Sequence, residues 1–249
     1  MYSYFYRFLQ RLIVKRTFNE DLIKLIDKNK VNEIIDIGCA DSSILEYINS
    51  SYSYHGYELN SHFTNKLKLK YKNNNKFKFY NKGVDEIDFN KFDPDKSIII
   101  LVGLFHHIDD LQIKRFVDRA KNFKIFAIDA VKIFGQKNIT KLLMAVDKGN
   151  YIRQLDNYKK ILTHFDFLIA KNRYVIFPYD HLVSTKNIDK NIIYRYMIKS
   201  SDIKHLLTDE SFVGTQRWDD MFSSDSTNEV ARHQRRYNDY NDLFKNNSD

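Results

Sequence analysis

Two adjacent histidines, His106 and His107, closely follow SIIILV, the continuous apolar run at Ser97–Val102. Such a run is typical of a strand that is buried on both faces of a sheet. Histidine titrates near neutral pH and is the side chain that most often serves as a general base. Asp129 lies near the end of another strand-like segment, Lys124–Ala130, and a carboxylate there can orient an imidazole. We predict His106 as a catalytic residue, Asp129 as its catalytic partner where their two strands are neighbours in the sheet, and His107 as a residue near a substrate.

Two aspartates, Asp109 and Asp110, follow the histidine pair, so four side chains of metal-ligating type lie close together in the sequence. Adjacent side chains diverge on most backbones, and paired histidine ligands are more often three to five residues apart. Acidic residues also suit the first turn of a helix, where they complement its dipole. We therefore predict no metal at this position and a helix that begins at Asp109.

A second group with chemical potential follows the strand-like segment VNEIIDI at Val31–Ile37, where Gly38 begins a loop. A glycine loop that leads into a helix presents backbone N–H groups and the positive end of the helix dipole. Glu58 lies near the end of the next strand-like segment, Ser53–Leu59, 22 residues after Asp36. An acid at this spacing is typical of one that binds a ribose diol. The pattern predicts a nucleoside site, and a tight turn with an ordinary exposed glutamate remains the alternative.

The chain has only seven glycines, so their positions are informative. Gly38, Gly83 and Gly103 each come just after a predicted strand, whereas Gly56 lies within one. Ligands of open α/β sheets bind outside the carboxyl ends of the strands, where the backbone must approach them closely. The glycines therefore predict a cleft at that edge of the sheet.

The elements that must position these residues alternate between strands and helices, which indicates parallel βαβ units and an α/β fold. Asn19 is the predicted cap of an early helix, and Phe167–Phe177 with His181–Thr185 form a predicted closing antiparallel pair. The other predicted strands are Val31–Ile37, Ser53–Leu59, Phe77–Tyr80, Ser97–Val102 and Lys124–Ala130, and the other predicted helices are Ser42–Ile48, Asn60–Tyr71, Asp109–Asn122, 139–147 and 155–165.

Three regions are expected along the chain: N-terminal helices at 1–29, a central domain at 30–187, and a polar tail or appendage at 188–249. Apolar residues near the N-terminus recur with helical spacing, which favours a helix packed on the domain over one lying on a membrane surface. No apolar run is long enough to span a membrane. The lone cysteine, Cys39, forms no internal disulfide, so we expect a reducing, cytoplasmic location.

The formal net charge is +8, and residues 200–249 carry 6 Lys/Arg against 10 Asp/Glu, so the excess of positive charge lies in residues 1–199. A basic body can attract an anionic partner such as nucleic acid. Lys, Asn, Ile, Tyr and Phe are all abundant here and all have AT-rich codons, so codon bias also accounts for the lysines. We expect nucleic acid not to be the partner.

The motifs IIDIGCADS, YHGYELN and ILVGLFHHIDD resemble, in this order, the signatures of class I S-adenosylmethionine-dependent methyltransferases. The late segments DKGNYIRQLDNYKKIL and FPYDHLVST are similar to the C-terminal half of small-molecule methyltransferases from bacterial biosynthetic clusters. The resemblance covers roughly residues 30–185. It implies a doubly wound, mostly parallel seven-stranded sheet of the Rossmann-like methyltransferase type, with S-adenosylmethionine as the cofactor.

The resemblance also implies roles for individual residues. Asp36 and the Gly38 loop would hold the methionine part, Glu58 the ribose, Gly83–Asp85 the adenine, and Gly103–Leu104 would lie beside the methionine amine. Near the substrate entrance it implies Tyr179 and His181. The cofactor-binding residues that we predict are thus Asp36, Gly38, Cys39, Ala40, Glu58, Leu59, Gly83, Asp85, Gly103 and Leu104.

Ala40 and Ser42 depart from the family pattern, which has glycine at both positions. A pyrophosphate-binding dinucleotide fold needs those glycines for close backbone approach, whereas S-adenosylmethionine has no phosphate. Ser42 has the residue type to cap the next helix.

The predicted function is S-adenosylmethionine-dependent methyl transfer to an oxygen, nitrogen or carbon of a small biosynthetic metabolite. His106 is the candidate general base. Two alternatives stay open: an RNA or other nucleic-acid methyltransferase that uses the basic body, and a non-catalytic module that binds S-adenosylmethionine. The sequence carries no signal for a particular oligomeric state.

Overall fold

A computed structural model describes residues 17–132, 149–171 and 180–189 of the chain. The predicted helices at 1–16 and 139–147, the predicted substrate residue Tyr179 and nearly all of the predicted tail lie outside these ranges. Within them, no helix is long and apolar enough to cross a membrane.

The described residues form a seven-stranded sheet with helices and short 3₁₀ turns between its strands. The strands are β1 Glu33–Ile37, β2 Ser53–Tyr57, β3 Phe77–Tyr80, β4 Ser97–Val102, β5 Lys124–Ala130, β6 Asp166–Lys171 and β7 Asp180–Lys186. The α-helices are α1 Thr17–Lys28, α2 Ser61–Lys70, α3 Asp110–Arg119 and α4 Leu155–Ile161; the 3₁₀ turns are η1 Ser43–Glu46, η2 Val84–Glu86, η3 Phe89–Lys91 and η4 Phe105–His107.

The sheet has the strand order β3-β2-β1-β4-β5-β7-β6. The first five strands pair in parallel, and β7 pairs antiparallel with both β5 and β6. The order reverses between β1 and β4, which is where ligands of doubly wound sheets bind. The predicted mostly parallel α/β fold is thus confirmed, with β1 in the interior of the sheet.

The middle of the sheet is apolar on both faces because its strands are covered from both sides. Ile34, Ile35, Ile98 and Ile99 are fully buried in β1 and β4. Phe116 of α3 packs against the core with Ile35 and its neighbours. This burial fixes the ends of β1 and β4, and therefore the positions of the loops that follow them.

Several predicted boundaries agree with the structure. β3, β4 and β5 have the predicted limits, and Asn60 caps α2 by accepting a hydrogen bond from His62 N at 3.0 Å. Asp109 caps α3 and accepts from Gln112 N at 2.7 Å. The predicted antiparallel pair is present in β6 and β7.

Two predictions about helix starts are wrong. Asn19 does not cap the first described helix, because α1 already begins at Thr17. The predicted helix at Ser42–Ile48 is only the four-residue turn η1. Ser42 has a left-handed backbone with φ 52° and makes no capping bond, and its Oγ is instead hydrogen-bonded to the Tyr54 hydroxyl at 3.0 Å.

Candidate active site

The loop after β1 begins with Gly38, whose φ of +78° is a left-handed conformation that favours glycine. Tyr57 O, at the end of β2, accepts hydrogen bonds from Gly38 N at 2.8 Å and Cys39 N at 3.1 Å. A Cβ at Gly38 would lie 3.1 Å from Leu104 Cδ1. Glycine is therefore required here by conformation and by space, and the segments after β1 and β4 are in contact.

The Glu58 carboxylate is fixed against this loop. Its Oε2 accepts from Ala40 N at 3.1 Å, and its Oε1 accepts from Asn60 N at 2.8 Å. Each carboxylate oxygen can accept a second hydrogen bond. Glu58 is thus held in one orientation and keeps acceptor capacity for a ligand diol, which fits the ribose of S-adenosylmethionine.

Asp36 lies beneath the loop and is buried, with 5% of its surface exposed. The Tyr54 hydroxyl donates a hydrogen bond to its Oδ2 at 2.5 Å. Burial raises the pKa of Asp36 to about 7, although the bond from Tyr54 opposes the shift and Glu58 adds to it. Burial also raises the pKa of the neighbouring Cys39 thiol well above its usual range, so Cys39 is a small buried side chain and not a reactive thiolate.

Leu59 and Gly83 lie together where β2 and β3 end. A Cβ at Gly83 would be 3.3 Å from Leu59 Cδ2, and Leu59 is 71% exposed. An exposed apolar side chain beside a glycine offers a surface on which a flat ring can lie. Asp85, the other residue predicted near adenine, is bound to α3: its carboxylate accepts from Arg115 Nε at 3.0 Å and Nη2 at 2.8 Å. The Arg115 guanidinium holds the pKa of Asp85 below its usual value.

The turn after β4 brings His106 and Asp129 into contact. Gly103 starts it with a φ of +67°, and the short turn η4 carries His106. Asp129 Oδ1 lies 2.5 Å from His106 Nδ1. The other carboxylate oxygen accepts from Phe105 N at 2.5 Å, and Oδ1 also accepts from Ala130 N at 2.8 Å. Asp129 is 2% exposed and His106 7%, so this pair is shielded from water.

This geometry selects the tautomer of His106. A carboxylate at Nδ1 favours the proton on that nitrogen, which leaves Nε2 with a lone pair. A Cβ placed on Gly103 would lie 3.5 Å from His106 Cε1, so the ring stands next to the turn predicted to border the methionine amine. The His106 ring is therefore held between Asp129 and the turn that begins at Gly103.

The other two histidines predicted near the substrate lie around the pair. The exposed ring of His107 is 4.0 Å from the His106 ring, measured between centroids. His181 is on β7, opposite Ala130 of β5. Both are thus at the edge of the sheet that carries Asp129.

Two residues that hold η4 were not predicted. Arg153 is 7% exposed and donates to Phe105 O at 2.6 Å and Ile108 O at 2.8 Å, on both sides of His106. Its Nε also bonds Asp110 Oδ1 at 2.7 Å. Gly149 lies so close to the His106 ring that an added Cβ would overlap Cδ2. Both residues lie in the segment DKGNYIR, whose sequence gives little indication that it packs beside η4. That contact depends on how the chain folds back.

No group of three or more His, Cys, Asp or Glu side chains is arranged to hold a metal within the described ranges. The described chain has the Rossmann-like methyltransferase fold, as comparison with solved structures shows. No family model matches the chain, and no curated protein matches its sequence.

Three solved structures illustrate the likeness. A candidate O-methyltransferase from Nostoc punctiforme PCC 73102 has a TM-score of 0.50 and 13% identity, over 67% of this chain and 55% of its own. The N-methyltransferase NodS from Bradyrhizobium japonicum WM9 has a TM-score of 0.50 and 11% identity, over 67% and 90%. The methyltransferase domain of bacterial CtHen1 has a TM-score of 0.51 and 10% identity, over 68% and 98%. This chain thus matches little more than half of the Nostoc protein.

Proposed function

We propose that the protein is an S-adenosylmethionine-dependent methyltransferase that acts on a small biosynthetic metabolite. One observation carries the proposal: a buried His106–Asp129 pair stands beside Gly103, at the same sheet edge as the loop to which Glu58 is fixed. A nucleoside-binding edge and a proton acceptor are therefore adjacent. The sulfonium of S-adenosylmethionine supplies an activated methyl group when the cofactor is bound.

Different residues would bind different parts of the cofactor. Glu58 would accept the ribose hydroxyls, because its backbone bonds fix its orientation in advance. Leu59 and Gly83 would form one wall for the adenine, and the buried Asp36 would supply negative charge near the methionine ammonium. Gly38 and Gly103 would let backbone approach the ligand closely.

His106 would take the proton that a hydroxyl or acidic carbon loses as it accepts the methyl group. The lone pair on Nε2 makes it the acceptor atom, and Asp129 stabilises the resulting imidazolium through Nδ1. A positioned base contributes roughly 10²–10⁴-fold to a rate. The burial of the pair keeps water from competing for the proton.

The first test is binding, measured by calorimetry with S-adenosylhomocysteine. We expect micromolar affinity, on the order of −8 kcal/mol. Glu58→Ala should weaken it by about 1.5–3 kcal/mol because hydrogen bonds to a charged group are lost. Asp95→Ala, which removes an exposed carboxylate from the β3–β4 connection, is the matched control and should bind normally. Equal affinity in the Glu58 variant and the control would contradict the ribose assignment.

The second test is turnover of S-adenosylmethionine with a metabolite extract as the source of acceptors. Turnover that depends on a small molecule supports the proposed enzyme. Tight cofactor binding with no turnover would favour the non-catalytic module. We propose the cytoplasm as its location, since Cys39 is the chain's single cysteine and is buried as a thiol.

Nucleic acid is the second candidate substrate, and one observation favours it. From Leu59 to Val84 the chain has seven exposed lysines and no acidic residue. Binding of RNA through phosphates would weaken linearly on a logarithmic salt scale, with a slope of about −0.7 per phosphate neutralised on a single strand. Absence of RNA binding at low salt would leave the small metabolite as the acceptor.

A further inference from the structure

A cavity of about 530 Å³ opens on one face of the sheet, over β2 and β3. None of the residues that line it belongs to the predicted cofactor-binding or catalytic set. It reaches Glu33 and Ser53, the first residues of β1 and β2, whereas the cofactor edge is at the other ends of these strands. Its volume is within the range of about 300–1,000 Å³ that small-molecule sites occupy.

The cavity exists because of the connection between β3 and β4. Within residues 81–96 the chain forms only the turns η2 and η3 and no α-helix. Phe89 of this connection belongs to the same hydrophobic cluster as Ile35 and Ile37 of β1. Over the neighbouring face of β2 the connection places Phe92, whose ring lies 4.9 Å from the His55 ring, and the described residues leave the cavity beside it.

The open face also lacks the aliphatic surface that would accept a helix. β2 contributes Ser53, His55 and Tyr57 there, and β3 contributes Lys78 opposite His55 and Tyr80 opposite Tyr57. On β1, by contrast, Ile35 and Ile37 occupy the positions next to His55 and Tyr57. The side chains that face the cavity are therefore hydrogen-bonding groups at positions where a packed sheet would carry apolar ones.

The floor is a hydrogen-bonded network that the proposed methyl transfer does not use. His55 Nε2 lies 3.2 Å from Glu33 Oε1, and Ser97 Oγ donates to Glu33 Oε2 at 2.6 Å. Burial lowers the pKa of His55, although the neighbouring Glu33 carboxylate opposes the shift. The Glu33 side chain is thus held in place by bonds from within the protein.

The walls are rich in hydrogen-bond donors. Burial raises the pKa of Tyr57 to about 12 and also raises that of Tyr80, so both phenols keep their protons. Lys78 and Lys82 add exposed ammonium groups. Two acids of the wall have partners within the protein: Glu86 Oε2 accepts from Gly83 N at 2.7 Å, and Asp88 Oδ2 lies 3.7 Å from Lys91 Nζ.

We propose that this cavity is a second ligand-binding site, which takes a small metabolite bearing phosphate or carboxylate groups. Such a ligand presents several acceptors to the ammonium groups of the walls. The site is built independently of the methyl-transfer chemistry, so the proposal does not rest on it.

The site also has a direct link to the cofactor loop. Tyr57 O accepts the hydrogen bond from Gly38 N, and Tyr80 O accepts one from Glu58 N at 3.0 Å. A ligand that moves Tyr57 or Tyr80 therefore acts on the backbone that positions Glu58. We expect occupancy of the cavity to change the affinity for S-adenosylhomocysteine, and by linkage the reverse.

The test is calorimetry on the full chain at low salt, without cofactor, with two probes: inorganic pyrophosphate and citrate. We expect at least one to bind with a dissociation constant between about 10 µM and about 1 mM. Stronger binding of pyrophosphate would assign phosphate as the recognised group, and stronger binding of citrate would assign carboxylate. No heat of binding from either probe up to about 10 mM would overturn the proposal.

Lys78→Glu tests the location of the site, and Lys68→Glu is its matched control because Lys68 is an exposed lysine of α2 outside the cavity. We expect Lys78→Glu to weaken the probe at least about tenfold and Lys68→Glu to change it less than about twofold. Equal losses in both lysine variants would mean diffuse attraction to a basic surface and would refute a built site. Circular dichroism of each variant reports whether the fold is kept.

Discussion

The loop after β1 and the turn after β4 lie side by side at the carboxyl edge of the sheet, and different bonds hold them. The loop contains three left-handed residues, Gly38, Ala40 and Ser42. It is fixed by a strand carbonyl and by the Glu58 carboxylate. The turn has one left-handed residue, Gly103, and two buried charged side chains, Asp129 and Arg153, fix the residues that follow it.

This difference predicts opposite responses to substitution. The turn depends on side chains that make several buried bonds each, so removing one leaves donors and acceptors without partners. The loop holds backbone strain at positions where its sequence departs from glycine, so relieving that strain should improve stability. The two regions also divide the proposed function, because the loop would bind cofactor and the turn would accept a proton.

The largest effect should come from the turn, in His106→Ala. We expect turnover to fall roughly 10²–10⁴-fold, because the proton acceptor is lost. Affinity for S-adenosylhomocysteine should stay nearly unchanged, since the proposed role of His106 is to accept a proton and not to bind the cofactor. His107→Ala removes an exposed ring next to it and is the control, with a much smaller loss of rate. Full turnover in His106→Ala would show that alignment alone drives the reaction.

The loop side should respond most strongly to pH, through Asp36. Its pKa is raised by burial from 3.8 to about 7, so the folded state keeps a proton that the unfolded state releases between these values. The free energy of unfolding should therefore fall as pH rises through this window and level off above about pH 7. The shift of about three units corresponds to about 4 kcal/mol.

Asp36→Asn tests this by removing the titrating group while keeping its shape. In urea unfolding, the variant should match the wild type near pH 4 and exceed it by about 4 kcal/mol near pH 8. At pH 8, where the wild-type carboxyl is ionised, the variant should also bind S-adenosylhomocysteine more weakly, because the negative charge near the ammonium is gone. Parallel stability profiles for the two proteins would exclude Asp36 as the source of the pH dependence.

The contrast between loop and turn also explains which features the sequence predicts well. β4 is recognisable from its continuous apolar run, and the family resemblance, which makes β4 and β5 neighbours in the sheet, is enough to predict a contact between His106 and Asp129. The predicted helix at Ser42–Ile48 is wrong because a left-handed Ser42, bonded to Tyr54 of the next strand, ends the regular backbone. The backbone geometry at Ser42 thus depends on a hydrogen bond to a residue in another strand, and the local pattern of apolar residues does not predict it.

Arg153 was missed for the same physical reason. Its partners are the backbone carbonyls of Phe105 and Ile108, about 45 residues earlier in the chain. Every residue has a backbone carbonyl, so such partners cannot be recognised in a sequence. A single arginine between an isoleucine and a glutamine gives no sequence signal for a buried position. Only the fold shows that the guanidinium is buried.

A smaller effect, still on the turn, is expected from Arg153→Met, which keeps much of the side-chain length. Phe105 O and Ile108 O would lose buried donors, at about 1–3 kcal/mol for each group left unsatisfied. We expect the free energy of unfolding to fall by about 3 kcal/mol and turnover to fall as His106 loses its support. Asp110→Asn, which alters the 69%-exposed partner, should change stability by less than about 1 kcal/mol. Normal turnover per folded Arg153→Met molecule would assign Arg153 a purely structural role.

The smallest effect should be a gain, in the loop. Ala40 has a φ of 45°, and a left-handed backbone costs a residue with a Cβ about 1–2 kcal/mol. Glycine removes this strain but adds about 0.4–1 kcal/mol of chain entropy to the unfolded state. Ala40→Gly should therefore stabilise the protein by about 0.5 kcal/mol in urea unfolding.

Ser42→Gly is the paired variant, because Ser42 has a similar φ of 52° but its hydroxyl also makes a buried hydrogen bond with the Tyr54 hydroxyl. Losing that bond costs about 1 kcal/mol, which cancels the relief of strain or exceeds it. We expect Ser42→Gly to be neutral or destabilising where Ala40→Gly stabilises. A gain in both variants would mean that the Tyr54–Ser42 bond contributes little and that backbone strain alone sets the stability of the loop. A loss of stability in both variants would mean that side-chain contacts, which glycine removes, stabilise the loop as they stabilise the turn.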